Sequence, residues 1–335
     1  MALFRNKGKG PPDPLPVRID QSWGDPVGRR IRLAARSRDG DTVLTLLDGA
    51  ADASEREFLL QAAVHGVEAS GWADKSPERH PDRASAWLVR GASTVAQAWA
   101  ARGGMHATAV PDEAVAKARA LFEQADADLV HASRVGDGDP IPWSWLTVTG
   151  YALRLSFKDT CDRFDEADQQ APWLPLAHVN MLHAAFAANG GSDETMFAFA
   201  RDVTARAPRG SACHAVIPLA HVEMWRREQE ADRSLTIGAY FERAAVSREV
   251  GQAAERSVLM TSFDDRRQNV LARNAFALAL LEMGEPARAA DQLLRINDRA
   301  SEEPWCYQTA DPGLAFARAR RRAGIGVDDE SRELV

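Results

Sequence analysis

The sequence predicts an all-α fold of irregular helical hairpins stacked as an α-solenoid, and three observations carry that expectation. First, a small residue, a large apolar residue four positions on and a small or apolar residue three further recur at Ala118/Phe122/Ala125, Thr160/Phe164/Ala167 and Ala289/Leu293/Ile296, with a shorter echo at Phe241/Ala244. The small side chain lets a neighbouring helix approach and the ring fills the space that remains. Second, alanine is abundant and β-branched runs are scarce, which favours helix throughout. Third, glycine pairs and prolines punctuate the chain at helical-hairpin intervals, and Pro172 and Pro208 stand 36 residues apart.

Taken in order, residues 1–24 (with GKGPPDPLP) read as a flexible or extended arm. Arg29–Ser37 and Thr42–Leu47 form a first hairpin broken at Arg38-Asp39-Gly40. Ser54 and Glu57 have capping-box spacing and open a helix over Phe58–Val64, which Gly66 ends. Gly71–Pro81 is a loop. Trp87 and Gly91 belong to a helix running to Ala101 and stopped by Gly103-Gly104. Its partner starts near Pro111 or Asp112 and ends at the Gly136–Pro140 loop. Pro142 suits the first turn of the next helix. Ser156 and Asp159 open the helix that ends before Pro172. His178–Ala188 is stopped by Gly190-Gly191, and Ser192 caps a partner that stops before Pro208. Ser211 opens a helix through Trp225, and Phe241/Ala244 lies in the following one. Asn274–Met283, Gly284 and Glu285–Ile296 read as helix, turn, helix. Residues 312–323 close the array, ahead of a loose tail from Asp328. The domain reading is therefore an arm at 1–24, one helical-repeat domain at 25–324, divisible into 25–80 and 82–324, and a tail at 325–335.

Composition narrows the function. The formal net charge is −7, which argues against nucleic-acid or anionic-membrane binding by the whole surface. The basic run Arg318, Arg320, Arg321 and Arg322 reads as a solvated last turn that suits the helix dipole. Cys161, Cys213 and Cys306 are scattered, with no metal-binding spacing, as expected of free thiols in a reducing compartment. Met1–Pro16 has no apolar segment of signal-peptide type. The longest apolar run, Ala275–Leu281, is too short to span a bilayer. The expectation is a cytoplasmic protein without a cofactor.

Two resemblances follow from these residues. The hairpin pattern, including Trp87 and Gly91 four apart, resembles the tetratricopeptide repeat, whose period is about 34 residues. Arg90 and Thr94 depart from that motif, and the spacing between ring anchors is uneven. Residues 172–223, with GGS-x-x-x-MF-x-FAR followed by P-x-GS and AHVE, resemble a bacterial protein family with a tetratricopeptide-like fold, over roughly residues 25–230. That resemblance implies a fold and no activity. Where related blocks carry Lys-Trp before GGS, this chain has Ala188-Asn189. The wider tetratricopeptide resemblance implies recognition of a protein or peptide in a groove lined by first helices. In that frame Asn180, His183, Arg273 and Asn274 are groove candidates, as is His221.

Chemistry is the competing reading. His178 and His183 are five apart on a helix, about 140° around its axis, so they do not share a face. His214 and His221 do, while Glu223 lies about 200° from His221. A small-molecule sensor or metal-dependent enzyme would have to assemble His178 or His183 with His221 across hairpins. No GxGxxG, GxxxxGK[ST] or GxSxG motif is present. Asp264-Asp265-Arg266-Arg267 reads as a helix start with a solvated charged face, and Glu302-Glu303 as a solvated loop. A DNA-binding hairpin at Arg29, Arg30, Arg32, Arg36 and Arg38 is opposed by Asp39, Asp41 and Asp48, which phosphate would repel.

Overall fold

Aspartates and serines start most of the early helices by accepting hydrogen bonds from otherwise unpaired N–H groups. The computed structural model describes residues 13–65, 71–104 and 110–325. Gly66 and the tail from Asp328 lie outside them. Asp25, Asp39 and Asp52 cap α1 (Pro26–Arg36), α2 (Gly40–Asp48) and α3 (Ala53–Val64). A short helix, α4 (Ser76–Arg79), interrupts the loop expected over residues 71–81. Next come α5 (Ala84–Arg102), stopped by Gly103 at φ 90°, and α6 (Asp112–Val135). Asp139 caps α7 (Pro140–Ala152), Ser156 caps α8 (Phe157–Gln170), and Pro175 opens α9 (Pro175–Ala184). Ser192 and Thr195 form a reciprocal capping box on α10 (Asp193–Arg206). The chain continues through α11 (Val216–Ala231), α12 (Ile237–Phe241), α13 (Ala244–Arg256), α14 (Val270–Glu282), α15 (Pro286–Ile296) and α16 (Pro312–Arg322). The described residues contain no strand, and none of their helices is long and apolar enough to cross a membrane.

Helices adjacent in sequence pack on one another, most extensively α5 with α6, α7 with α8 and α14 with α15. The residues of the three full-length patterns are all buried. On α5, a Cβ at Gly91 would lie 2.7 Å from Leu129 Cγ of α6, so only glycine admits that leucine. Trp99 of α5 meets Phe122 of α6 edge-on at 4.9 Å. The shorter echo behaves differently. Phe241 ends α12 and Ala244 begins α13, so the two do not share a helix. Arg243 between them is extended (φ −59°, ψ 128°), and its guanidinium bonds Glu228 of α11 at 2.7 Å.

Ser54 and Glu57 do not form the expected capping box. The helix starts earlier, where the Asp52 carboxylate accepts from Glu55 N at 2.8 Å and Glu55 reaches back to Ala51 N at 2.7 Å. Glu57 is thereby left a full turn inside α3, on its buried side.

The second half of the N-terminal arm is fixed. Trp23 is buried and stacks on Phe58 of α3 at 5.6 Å. Val17 N donates to Gly313 O at 3.2 Å, and Asp13 pairs with Arg318 at 2.6 Å. A Cβ at Gly313 would fall 2.0 Å from Val17 O, so this approach also needs glycine. The Asp264–Arg267 segment keeps Asp265 and Arg266 exposed and also ties this part of the chain to the N-terminal residues. Arg266 bonds Asp52 at 2.5 Å, and Arg267 donates to Trp23 O and lies 3.5 Å from Asp25. The basic run on α16 is likewise engaged. Arg320 is buried and donates to Asn297 O at 3.0 Å, and Arg322 pairs with Glu282 of α14.

Gly91→Ala should cost about 1–3 kcal/mol by overpacking against Leu129. Gly251→Ala, in α13 where an added Cβ meets nothing within 4 Å, should gain about 0.5–1 kcal/mol from helix propensity. Urea denaturation of both variants checks the pair, and a neutral Gly91→Ala would contradict the close approach.

Candidate functional site

Between the two ends of the chain lies a cavity of about 230 Å³. A single buried water needs only about 10–15 Å³. Its walls come from α3, α5, α7 and α9, the 3-10 turn at Ala212–Ala215 that precedes α11, and α14. The helices paired behind them, α6, α8, α10, α13 and α15, contribute no lining residue. Trp23 of the arm, Phe58, Trp99, Trp145 and Tyr151 supply aromatic faces. Val95, Val148, Leu176, Val179, Leu271 and Ala272 supply the aliphatic remainder. The indole N–H groups of Trp23 and Trp145 are buried and meet no acceptor among the described residues. A wider cleft of about 1120 Å³ adjoins the cavity and shares Gln21, His65, Ala96, Trp99, Glu302 and Glu303 with it.

Two polar clusters stand in this apolar wall. In the first, Ser144 Oγ of α7 donates to Glu57 Oε1 at 2.7 Å. Asn180 Nδ2 of α9 donates to Ser144 O and Oγ, both at 3.2 Å. Three helices thus meet at one carboxyl group. Burial pushes the Glu57 pKa up to about 8, with Asp139 adding to the shift and the Ser144 hydroxyl opposing it. Near neutral pH Glu57 holds its proton.

In the second cluster, His183 Nε2 of α9 lies 3.2 Å from Glu303 Oε1. Burial favours the neutral ring. The neighbouring Glu303 carboxylate and, secondarily, Glu223 outweigh it, and the His183 pKa is raised. Glu303 arrives on the loop between α15 and α16, and Asn274 of α14 holds that loop. Asn274 Oδ1 accepts from Trp305 Nε1 at 2.7 Å, and its Nδ2 donates to Arg299 O at 3.2 Å and Val270 O at 2.9 Å. The Glu302-Glu303 pair is therefore not simply a solvated loop: Glu302 is exposed at the cavity edge while the Glu303 side chain is largely buried.

Of the residues singled out from the sequence, Asn180 and His183 line the cavity. Asn274 stands behind it as a positioning residue. Arg273 is buried elsewhere, bonding Asp265 at 2.6 Å and Gln292 of α15, with its guanidinium 4.5 Å from the Phe263 ring. His221 bonds Tyr240 Oη at 2.9 Å and Glu249 at 3.2 Å, against Phe197. His178 Nδ1 bonds Leu174 O at 2.9 Å, and the ring packs on Phe164 and Trp173. His178, His183 and His221 thus have three separate sets of partners. Among the described residues no group of three or more His, Cys, Asp or Glu side chains could hold a metal ion.

Glu57 and Glu303 were missed by sequence reasoning. Glu57 sits in a Ser-x-x-Glu string identical to a helix start, and its hydrogen-bond partner is 87 residues away. Glu303 lies beside a proline in a polar stretch, and nothing local marks it. The only available signal was that Glu57 falls on the same helical face as the apolar residue Leu60, three positions on, and Gln61, four positions on.

The raised Glu57 pKa sets a pH dependence of stability. Below about 4.5 the group is protonated folded and unfolded, so its contribution is fully present. Between about 4.5 and 8 the unfolded chain ionises first, and stability falls as pH rises, by an amount on the order of a few kcal/mol. Glu57→Gln should remove this decline and be the more stable protein at pH 8, with urea-denaturation free energies at pH 5 and pH 8 as the measurement. Compared with known proteins, the chain matches no family model and no curated protein.

Proposed function

We propose that this protein is a non-catalytic binding module, a tetratricopeptide-like α-solenoid whose inner helices enclose a pocket for a small organic molecule. The observation that carries the reading is the cavity itself: α3, α5, α7, α9 and α14 line it while α6, α8, α10, α13 and α15 do not, and the walls combine aromatic side chains with two polar clusters. Ligand pockets are typically apolar clefts with a few placed polar groups. Asn180 and His183 are the groove residues that take part, and the Ser144–Glu57 and His183–Glu303 pairs orient the ligand. His221, Arg273 and Asn274 serve the scaffold.

A protein or peptide partner, the reading the repeat resemblance favours, has a separate supporting observation in the wider cleft next to the cavity. Its lining includes residues Pro16–Ile19 of the arm, so the chain's own N-terminal segment forms part of its wall.

Ala272→Phe, placed in the α14 wall, should fill the cavity without touching the outer helices. Freshly purified wild-type protein, denatured and extracted for mass spectrometry, should release a small organic compound that Ala272→Phe protein lacks. Circular dichroism should show both proteins equally helical. Equal recovery from the two proteins, or recovery from neither together with a stoichiometric polypeptide partner in pull-downs, would sink the small-molecule reading.

A further inference from the structure

Resting on that reading, we propose that the cavity selects an organic cation: an amine or quaternary ammonium group carried on an apolar body. Three features of the wall converge on this class. Five aromatic residues, Trp23, Phe58, Trp99, Trp145 and Tyr151, surround the space. An aromatic π face attracts a cation, most strongly where water is excluded. Trp23 and Phe58 cover one face of each other, and Arg102 already lies over the Trp99 ring. Three acidic residues line it, Glu57 from one part of the sequence and Glu302 and Glu303 from the other. No lysine or arginine lines the cavity among the described residues. Of the imidazoles that do, His183 is already paired with Glu303, and His65 belongs to the edge shared with the cleft.

An anionic ligand would meet this wall with no unpaired positive charge to receive it and would pay the full desolvation of its charge. A neutral ligand would leave Glu57 as it stands. An ammonium group gives Glu57 the counter-charge that the protein itself withholds. The groups facing Glu57 are Ser144 and Asn180, which are neutral, and Asp139 at the start of α7, whose carboxylate is already bound by Arg56 at 3.1 Å. None of them neutralises a Glu57 carboxylate. The apolar body of the ligand then packs on Val148, Val179 and Leu271.

The class is tested by isothermal titration calorimetry at pH 7 with three probes of one shape: 2-phenylethylammonium, 2-phenylethanol and 3-phenylpropionate. The ammonium should bind about tenfold or more tightly than the alcohol, as expected for a charge-assisted contact, and the carboxylate should bind weakest. Glu57→Gln should reduce ammonium affinity to the level of the alcohol. Trp145→Leu should weaken the ammonium more than the alcohol. Alcohol binding that equals or exceeds ammonium binding overturns the cation assignment while leaving the small-molecule pocket in place. Binding of none of the three probes to protein that is folded by circular dichroism overturns both.

Discussion

The candidate site depends on the contact between the two ends of the chain. Its walls draw on Trp23 and Glu57 from the first fifth of the sequence and on Ala272 and Glu303 from the last. Those segments share no hairpin, so pairwise helix packing alone would not bring them together. Arg266 reaching Asp52, Arg267 reaching the Trp23 carbonyl and Val17 bonded to Gly313 hold them in place. These are mostly exposed or half-buried polar contacts, which individually contribute little. Their effect lies in geometry: they fix one end against the other while the apolar cluster from Trp23 to Ile325 supplies the stability.

Most of the helices were legible because their signals are local. Capping residues, prolines in first turns and glycines at left-handed stops act within a few residues of the feature they set. The large apolar anchors Phe122, Phe164 and Leu293 were legible for a related reason, since each packs against a helix adjacent in sequence. The echo at Phe241/Ala244 failed because a helix break falls between its two residues, with Arg243 out of the helical region and its guanidinium on Glu228 of α11. The arm failed on composition. Gly, Pro and Lys dominate its first half, whereas its second half carries Trp23, whose burial depends on Phe58 and on Arg267 from near the far end.

Legibility was poorer in the site. Asn180 and His183 could be placed on the cavity side because the repeat frame fixes which face of a first helix looks inward. Arg273 and Asn274 came from the same frame and are turned toward α15 and the loop after it. Their helix, α14, is buried nearly all round, so periodicity gives no inward face to choose. Glu57 and Glu303 could not be found at all. A carboxylate in a polar string reads as solvated or as a cap, and its burial is decided by residues far along the chain.

That burial is the strongest physical indication of a task beyond folding. A glutamine at position 57 would accept the same Ser144 hydrogen bond and avoid the cost of withholding a carboxyl group from ionisation. The unpaired indoles of Trp23 and Trp145 are two more costs in the same wall, because a buried donor without an acceptor loses its hydration uncompensated. Burying a few polar groups poorly is common where packing leaves no choice. Here the same wall also carries Val95, Val148, Leu176, Val179, Leu271 and Ala272, so apolar side chains are accommodated beside them. A carboxyl group held protonated in the folded chain costs stability, a cost that the proposed cationic ligand would offset. The same group that lowers stability toward pH 8 then favours occupancy, because ligand binding to the folded state alone stabilises it.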